Sequence, residues 1–391
     1  MTIKYIALTT VQNSLESFVM PLMYELKKYD YELYVMSNMD EKFKIKHSKV
    51  AKCINIPIER GFKFFNMIKA IYLLIKEFKK IKPDIIQYGT PNMAFCASIA
   101  AFYTKVPIRI YEHWGARYIG YKGIKRYISK LIEFIAALCS TDIRQVSYEN
   151  MKISIQDGIY KQEKVKVLGK GGTIGVNFDK FNLERKDINN SLLRKENNIP
   201  KDAVVFGFTG RIQRDKGINE LFDAFKKLLL EYRDKEIYLI LIGPIDIFNP
   251  VDKDKMQWAQ KCKQVIFTGF SSEVEKYMAI IDILVHPSYR EGFGMVLQEA
   301  AALRIPIITT NIPGPNEFIE NKKTGILVEP GNADELYEAM KELLINPIKR
   351  DLFGKNIFEY TKKYFDRNVK LKEIKEDREL LINTRLSKKI G

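Results

Sequence analysis

The stretch that decides the fold occupies residues 283–302 and reads ILVHPSYREGFGMVLQEAAA. A short apolar run ends at His286, a polar loop follows, and a second apolar segment begins at Met295. This pattern is typical of a buried strand, a loop and a helix. Gly292 and Gly294 allow the loop to turn tightly and to approach a ligand closely. The stretch therefore predicts a ligand-binding loop between a strand and a helix.

Two glutamates flank the start of the predicted helix. Glu291 lies in the loop, and Glu299 lies about a turn and a half inside the helix. The first turn of a helix presents unpaired N–H groups that bind anions, but two carboxylates beside it would repel a phosphate. The repulsion is avoided if each carboxylate bonds hydroxyl groups. The stretch thus indicates a ligand with phosphates and hydroxyls, such as a nucleotide sugar; a solvated loop with a surface glutamate is the alternative.

Length and composition predict two globular domains. The chain has 391 residues, more than one hydrophobic core usually supports, and 46% of them are hydrophobic. Cys53, Cys96, Cys139 and Cys262 have no paired spacing for zinc or disulfides, so we expect buried free thiols in a reducing cytoplasm. No signal peptide is visible, and no apolar run reaches the roughly 18–20 residues of a transmembrane helix.

The positive charge is concentrated in the first half of the chain. Residues 1–180 contain 29 Lys and Arg against 16 Asp and Glu, whereas residues 181–391 contain 35 against 32. This distribution predicts that the N-terminal half meets an anionic partner, either nucleic acid or an anionic membrane surface. A basic surface that binds nothing is the alternative. Nucleic acid is not expected, because the sequence contains no nucleic-acid motif or aromatic-basic stripe.

Short apolar runs alternate with helical patterns along both halves of the chain. The predicted strands of the first half lie near 3–8, 31–36, 53–56, 84–88, 107–111, 142–146 and 164–168. Those of the second half lie near 203–209, 237–242, 265–268, 281–286, 306–310 and 326–328. Such alternation with short loops predicts an α/β fold with a parallel, doubly wound sheet in each half. The loop at 9–14 has no glycine, which argues against an NAD-dependent oxidoreductase.

Two helical segments of the first half, 62–80 and 121–139, combine apolar residues with lysines. Core-facing amphipathic helices whose lysine stems lie along apolar surface explain this pattern. A membrane-surface role explains it equally well.

The most glycine-dense segment, residues 169–175, is predicted to be a flexible junction between domains. We expect an N-terminal domain at 1–175, a C-terminal domain at 176–365, and a helical tail at 366–391 that returns to the first domain.

A basic loop follows the predicted strand 203–209 and reads GRIQRDKG at 210–217. Arg211 offers a planar fork to phosphate oxygens, and Lys216 offers a point charge. With the helix N-terminus behind them, they form an anion site at the carboxyl edge of a sheet. They also supply the positive charge that Glu291 and Glu299 lack, so that a diphosphate is held without a metal.

Together these motifs resemble family-4 retaining glycosyltransferases, most of all those that make bacterial capsules and surface polysaccharides. The shared pattern spans residues 203–330: the Gly-Arg and Lys-Gly pairs at 210–217, Thr268-Gly269, His286-Pro-Ser288, and Glu291 and Glu299 separated by seven residues. The resemblance implies the GT-B architecture, in which two Rossmann-like doubly wound domains face each other across a cleft. Residues 1–175 would then bind the acceptor and residues 176–365 the donor.

The resemblance also implies roles for individual residues. Arg211 and Lys216 would neutralise the donor diphosphate and the leaving nucleotide. Glu299 would accept the ribose hydroxyls, and Glu291 would face the donor sugar. Backbone amides of the loop would contact the sugar and phosphate, namely those around Gly292, Phe293, Gly294 and Met295.

The first domain matches the family less closely, because its first loop lacks the glycine pair that most relatives carry. His113 ends a predicted strand where the family often places a histidine beside the transferred sugar, which implies a catalytic contact. Glu112 and Arg117 are either acceptor contacts or an ion pair. The glycine-dense junction resembles the interdomain loop of capsular-sugar transferases, which implies cleft-lining roles for Gly171, Gly172 and Thr173.

Two further motifs are assigned no function. Asp252-Lys-Asp254 matches the metal-binding string of the other major transferase fold, but it lies in a polar loop and is interpreted as a chance match. His47 lies in a lysine-rich loop with no evident partner.

We therefore predict an enzyme that transfers a sugar, with retention, from a nucleotide diphosphate sugar to a lipid-linked or saccharide acceptor in surface-polysaccharide synthesis. A UDP-sugar is the favoured donor, and no metal or other cofactor is expected. The expected location is the cytoplasm, peripheral on the inner face of the cell membrane. The alternatives are a nucleotide-sugar epimerase or glycosyl phosphorylase of the same fold, and a non-catalytic protein that binds a membrane surface.

Overall fold

A computed structural model describes residues 2–59, 61 and 64–386 of the chain. The chain divides into two compact units, one formed by Met1–Ile174 with Asn368–Gly391 and the other by Gly175–Arg367. Each unit contains a parallel sheet with helices on both faces, and each is described separately below.

The sheet of the first unit has seven strands within the described residues, in the order β3-β2-β1-β4-β5-β6-β7. Its strands are β1 (Ile3–Val11), β2 (Tyr31–Asn38), β3 (Lys52–Asn55), β4 (Ile85–Tyr88), β5 (Ile108–His113), β6 (Asp142–Gln145) and β7 (Val165–Val167).

The sheet of the second unit is formed, in the same described part of the chain, by six strands in the order β10-β9-β8-β11-β12-β13. Its strands are β8 (Val204–Thr209), β9 (Ile237–Ile242), β10 (Val265–Gly269), β11 (Ile283–His286), β12 (Ile307–Thr310) and β13 (Gly325–Val328). The prediction of two doubly wound α/β domains is thus confirmed.

Helices connect the strands of each sheet. The first unit contains α1 (Gln12–Phe18), α2 (Met20–Leu26), α3 (Glu41–His47), α4 (Phe64–Ile81), α5 (Pro91–Tyr103), α6 (Gly123–Cys139) and α7 (Tyr148–Gln156). The second contains α8 (Leu183–Glu196), α9 (Ile218–Glu231), α10 (Lys253–Lys261), α11 (Val274–Met278), α12 (Met295–Ala302), α13 (Pro315–Phe318), α14 (Ala333–Ile345) and α15 (Pro347–Tyr364). The last helix, α16 (Arg367–Arg385), packs on the first unit.

The strand order positions the candidate site of the second unit. From β8 the chain first adds β9 and β10 on one side, and it then crosses to add β11, β12 and β13 on the other. Neighbouring β8 and β11 therefore form the point at which the winding direction reverses. Ligands of doubly wound sheets bind outside the carboxyl ends of the strands at such a point. The loops after β8 and β11 both begin there.

The central strands are rich in buried apolar residues, as expected for a parallel sheet covered by helices on both faces. All residues of β4 and β11 are buried. The core of the second unit includes Phe206 and Phe208 of β8, Leu239 of β9 and Leu343 of α14. A buried core of this kind fixes the strand ends from which the functional loops extend.

Two local predictions need correction. The apolar pattern at 15–29 predicts a single helix, but the structure breaks it at Val19, where φ is −121°, because Pro21 lacks an N–H and begins a second helix in its first turn. All four cysteines are free, but only Cys96 is buried and the other three are partly exposed.

The two motifs without an assigned function also have structural explanations. Asp252 caps α10 by accepting hydrogen bonds from the backbone N–H groups of Asp254 and Lys255 at 3.0 and 3.2 Å. His47 lies in α3 rather than in a loop, and its Nε2 is 2.7 Å from the carboxylate of Glu16. The statement that His47 has no evident partner was therefore wrong.

Candidate functional site

Two loops of the second unit, 210–217 after β8 and 287–294 after β11, are locked together. Gly217 has a φ of +70°, and a Cβ there would lie 2.0 Å from the carbonyl oxygen of Pro287. The Tyr289 N–H donates to the carbonyl of Asp215 at 3.0 Å. The Arg290 guanidinium donates twice to the Asp215 carboxylate, at 3.1 and 2.8 Å. The structure thus brings the two motifs into one site.

The centre of this site is an ion pair between Lys216 and Glu291. The Lys216 Nζ contacts Oε1 of Glu291 directly, and Nε2 of His286 lies 2.8 Å from the same oxygen. Burial opposes ionisation of Glu291, but Lys216 and His286 outweigh it and hold the pKa of that carboxyl well below its usual range. Glu291 is therefore fully ionised and neutralises the lysine predicted to bind phosphate.

Arg211 has a different partner. Its exposed guanidinium donates to Oδ2 of Asp246 at 2.9 Å. Asp246 follows β9, where its N–H donates to the carbonyl of Ile212 at 3.0 Å. Arg211 thus lies at the carboxyl edge of the sheet, on the β9 side of the ion pair.

The start of α12 is built on glycines. Gly294, with a φ of +87°, precedes the helix as its N-cap. A Cβ at Gly314 would lie 2.4 Å from the carbonyl oxygen of Gly292, so the loop packs directly against the backbone at that position. This close packing holds the first turn of α12 at the sheet edge.

Phe293 anchors the same loop. Its side chain is buried, and its ring centroid lies 6.1 Å from that of Phe318 and 5.4 Å from that of Phe365. The aromatic side chain is part of the core, and the backbone of Phe293 is the part that can face a ligand.

Glu299 lies on α12 and is partly exposed as a residue. Burial raises the pKa of this carboxyl to about 7, although Lys180 and Arg367 act to lower it. No residue in the described part of the chain donates a hydrogen bond to Glu299. Nε of Arg367 is also buried without a hydrogen-bond partner among the described residues. A carboxyl in this state can accept hydrogen bonds from a ligand.

His113 is buried in the first unit. Its Nε2 lies 3.1 Å from the carboxylate of Glu133, and its Nδ1 lies 3.0 Å from Nε2 of Gln145 and 3.4 Å from the hydroxyl of Tyr160. Both ring nitrogens therefore have partners inside the unit. The predicted contact between His113 and the transferred sugar stays a prediction.

The other candidates of the first unit surround the carboxyl ends of its strands. Glu112 forms an ion pair with Arg378, a partner that the sequence did not indicate, and an ion pair between Glu112 and Arg117 stays a prediction. Arg117 begins a 3₁₀ turn, and its side chain lies outside the described part of the structure. Gly171 and Gly172 have φ angles of +85° and +81°. Gly172 and Thr173 line a cavity of about 30 Å³ whose wall includes Glu112.

Across residues 2–59, 61 and 64–386, no group of three or more His, Cys, Asp or Glu side chains could hold a metal ion. The same residues contain no helix with the length and apolar character needed to cross a bilayer.

The site and fold are those of a sugar-transferring enzyme, and comparison with known proteins gives the family. Residues 189–360 match the family described as glycosyl transferases group 1, and residues 6–148 match a glycosyl transferase 4-like family. The chain is 32% identical to the capsular polysaccharide biosynthesis glycosyltransferase CapM of Staphylococcus aureus, over 94% of this chain and 93% of the relative. It belongs to the group 1 glycosyltransferase family, and the prediction of a glycosyltransferase is confirmed.

Another relative and a solved structure are similar to this chain over more than nine-tenths of its length. The N,N'-diacetylbacillosaminyl-diphospho-undecaprenol alpha-1,3-N-acetylgalactosaminyltransferase of Campylobacter jejuni is 26% identical, over 91% of this chain and 93% of the relative. The fold is similar to that of Anabaena HepE in complex with UDP and glucose, with a TM-score of 0.78, 18% identity, and coverage of 96% of this chain and 99% of HepE.

Sequence reasoning missed three members of the site. Asp215 joins the two loops, Asp246 pairs with Arg211, and His286 bonds Glu291. Asp215 and His286 lie within motifs that the sequence identified, but no sequence signal indicated their partners. Asp246 lies outside every motif.

Proposed function

We propose that this enzyme transfers a sugar, with retention of configuration, from a UDP-sugar to a lipid-linked or saccharide acceptor in surface-polysaccharide synthesis. The observation that carries the proposal is the Lys216–Glu291 pair beside the N-terminus of α12, at the reversal point of the second sheet. The names of relatives support the substrates: CapM makes capsular polysaccharide, the C. jejuni relative is named for a diphospho-undecaprenol acceptor, and HepE was solved with UDP.

The second unit binds the donor in this proposal. Lys216 and Arg211 bind the oxygens of the diphosphate. In the structure these two cations are paired with Glu291 and Asp246, and the diphosphate replaces those carboxylates as their counterion. The Glu299 carboxylate receives no hydrogen bond from a described residue, and it accepts hydrogen bonds from the ribose hydroxyls. Backbone amides at the start of α12 contact the sugar and the phosphate, namely those around Gly292, Phe293, Gly294 and Met295.

Catalysis in this proposal is chiefly electrostatic. Negative charge grows on the diphosphate as its bond to the sugar breaks, and Lys216, Arg211 and the positive end of the α12 dipole stabilise that charge. Glu291 orients the sugar and stabilises positive charge on it. The cations supply the countercharge that a metal would otherwise provide, so no metal or other cofactor takes part.

The first unit binds the acceptor in this proposal. Residues 1–175 form the acceptor-binding domain and residues 176–365 the donor-binding domain, while the tail at 366–391 belongs with the first. His113 contacts the transferred sugar, and the acceptor passes along the glycine-rich segment. That segment contributes Gly171, Gly172 and Thr173, and Arg117 lies at the same sheet edge.

We also propose that the first unit attaches peripherally to the anionic inner face of the cell membrane. α6 carries a stripe of exposed apolar side chains at helical spacing. Its members are Ile124, Tyr127, Ile128, Leu131, Phe134 and Leu138. α4 carries a similar exposed stripe, formed by Phe64, Phe65, Ile68 and Tyr72. Both α4 and α6 pack against α5.

The charges around these stripes suit an anionic surface. Exposed lysines flank both stripes, among them Lys69 and Lys76 on α4 and Lys125 on α6. The single acidic residue of α6, Glu133, is buried against His113 and does not oppose them. A helix with an apolar stripe and basic flanks lies in the plane of a membrane interface.

Vesicle sedimentation tests this attachment with a matched control. Ile124→Ser/Leu131→Ser changes side chains that are 71% and 57% exposed, and Ile188→Ser/Leu192→Ser changes side chains of α8 that are 68% and 54% exposed. We expect the wild type and the α8 variant to sediment with phosphatidylglycerol vesicles, and the α6 variant to lose most of this binding. Equal wild-type binding to phosphatidylcholine vesicles, or unchanged binding of the α6 variant, would contradict the proposal.

The transferase activity itself is tested by a donor screen. Thermal stability is measured with UDP-sugars and GDP-sugars, since a ligand that binds only the folded protein raises its melting temperature. We expect a UDP-sugar to give the largest shift and to be turned over to free UDP with extracted lipid-linked saccharides as acceptor. Preference for a GDP-sugar would refute the proposed donor, and binding without turnover would refute the activity.

A further inference from the structure

His286 is a buried residue that contacts the Glu291 carboxylate. Its ring is buried and stacks on Phe208, with a centroid distance of 5.5 Å and an interplanar angle of 7°. Its backbone carbonyl accepts a hydrogen bond from the Thr309 hydroxyl at 2.9 Å. The ring is thus fixed on its face and at its backbone, and Nε2 lies 2.8 Å from Oε1 of Glu291.

The bonding pattern identifies the tautomer. An ionised carboxylate only accepts hydrogen bonds, so Nε2 must carry the proton that it donates to Glu291. Nδ1 is buried with no hydrogen-bond partner among the described residues. An N–H left without an acceptor in the interior is costly, which favours a proton on Nε2 rather than on Nδ1.

Oε1 of Glu291 accepts hydrogen bonds from two side chains, Lys216 and His286. The proposed function requires Lys216 to bind the donor diphosphate, so Lys216 must then share or leave this oxygen. His286 is the donor that remains. Without it, the carboxylate would lose its fixed position at the moment when the sugar must be oriented.

We propose that His286 is the positioning residue that keeps Glu291 in place while Lys216 exchanges its partner from Glu291 to the diphosphate. This inference rests on the proposed function, and it deepens that function by assigning the histidine a task in the loaded enzyme. His286 itself does not touch the substrate. Its removal should therefore slow turnover more than it weakens donor binding, because misplacing a catalytic group by about 1 Å can cost on the order of 100-fold in rate.

Three variants separate positioning from packing. His286→Phe keeps an aromatic ring against Phe208 but removes the hydrogen bond. His286→Gln keeps an N–H donor that reaches about as far as Nε2. His47→Phe is the matched control, because His47 is also buried and its Nε2 is 2.7 Å from Glu16, but it lies in the other unit and has no assigned role in the reaction.

The measurements are kcat and KM for the UDP-sugar that the thermal screen selects, and the thermal shift given by UDP. For His286→Phe we expect kcat to fall roughly 10- to 100-fold, with KM and the UDP shift changing less than about threefold. His286→Gln should restore kcat to within about fivefold of the wild type, and His47→Phe should leave kcat unchanged. If His286→Phe does not fold, His286→Asn replaces it, because its shorter amide does not reach Glu291.

The outcomes are decisive. A folded His286→Phe enzyme with kcat within about twofold of the wild type overturns the inference, as does a change confined to KM. Equal loss in the Phe and Gln variants also overturns it. If no nucleotide sugar stabilises the wild type, the proposed function fails as a whole. A wild type that is stabilised and active, together with a fully active His286→Phe variant, means that only the role of His286 is wrong.

Discussion

The ammonium of Lys216 contacts the carboxylate of Glu291, 75 residues further along the chain, and both side chains are less than one-fifth exposed. This contact explains how a carboxylate can lie at the N-terminus of a helix that is proposed to bind phosphate. In the free protein, Glu291 is the counterion of Lys216. In the proposed loaded enzyme the diphosphate becomes the counterion of the lysine, and Glu291 keeps its negative charge to face the sugar.

The close approach of the two site loops should make Gly217 less tolerant of substitution than a glycine with the same φ in open space. Gly217 and Gly269 have φ angles of +70° and +69°, but a Cβ at Gly269 would meet nothing within 4 Å. Gly269→Ala should cost about 1–2 kcal/mol of unfolding free energy from backbone strain alone. Gly217→Ala should cost about 3 kcal/mol or more, because the backbone at Pro287 must also move. Urea unfolding measures both, and equal losses would show that the loops are not locked.

Donor binding should depend on pH through Glu299. Burial raises the pKa of this carboxyl to about 7 in the free protein, and a ribose hydroxyl donates a much stronger hydrogen bond to the ionised form than to the protonated form. Affinity should therefore rise with pH through 7 and level off above it. Calorimetry should find a UDP-sugar bound about tenfold more weakly at pH 6 than at pH 8.

The choice of ligand and a variant isolate this effect. A UDP-sugar is used rather than UDP, because the terminal phosphate of UDP itself titrates near pH 6, as phosphate monoesters do. Glu299→Gln should bind more weakly at both pH values and lose the pH dependence. A wild type without the dependence, or a Gln variant that retains it, would show that Glu299 is not the titrating group.

The C-terminal helix should depend on Arg378 for its attachment to the first unit. The buried guanidinium contacts the carboxylates of Glu112 and Asp377 and donates to Gln87 at 3.2 Å. Arg378→Met leaves the Glu112 carboxylate without its cation, although Asp377 keeps Arg144 as a partner, and breaking a buried pair typically costs about 3–5 kcal/mol.

A surface pair in the same unit provides the comparison for Arg378. Lys52 bonds Glu32 at 2.7 Å in an exposed position, so Lys52→Met should change stability little. Denaturant unfolding compares the two variants. A loss for Arg378→Met as small as that for Lys52→Met would mean that the buried network does not hold α16.

The sequence was sufficient to predict the architecture of each unit. Alternating apolar runs and helical patterns predicted the strands of both sheets, because strands covered on both faces are rich in apolar residues. The break at Val19 was missed, since Pro21 fits the first turn of a helix as well as it interrupts one. The partial exposure of three cysteines was not predicted, because an apolar segment does not indicate which of its faces is buried.

The site was predicted in part. Its two loops were identified from Gly-Arg and Lys-Gly in one and the paired glutamates in the other, and adjacent β8 and β11 bring them together. The partners of Lys216, Arg211 and His286 could not be predicted from the sequence, because contacts between residues far apart along the chain depend on loop geometry. The network of Arg378 was missed for the same reason.

The central claim is that Arg211 and Lys216 hold the donor diphosphate, and labelled-sugar transfer tests it most directly. The double variant Arg211→Ala/Lys216→Ala is compared with Lys227→Ala, which removes an exposed lysine paired with Asp334 on the outer side of α9. The measurement is the rate at which labelled sugar moves from the UDP-sugar to the lipid-linked acceptor, with the melting temperature as a check on folding. We predict that transfer by the folded double variant falls at least about 1,000-fold while Lys227→Ala keeps wild-type activity, and near-normal transfer by the double variant would contradict the account.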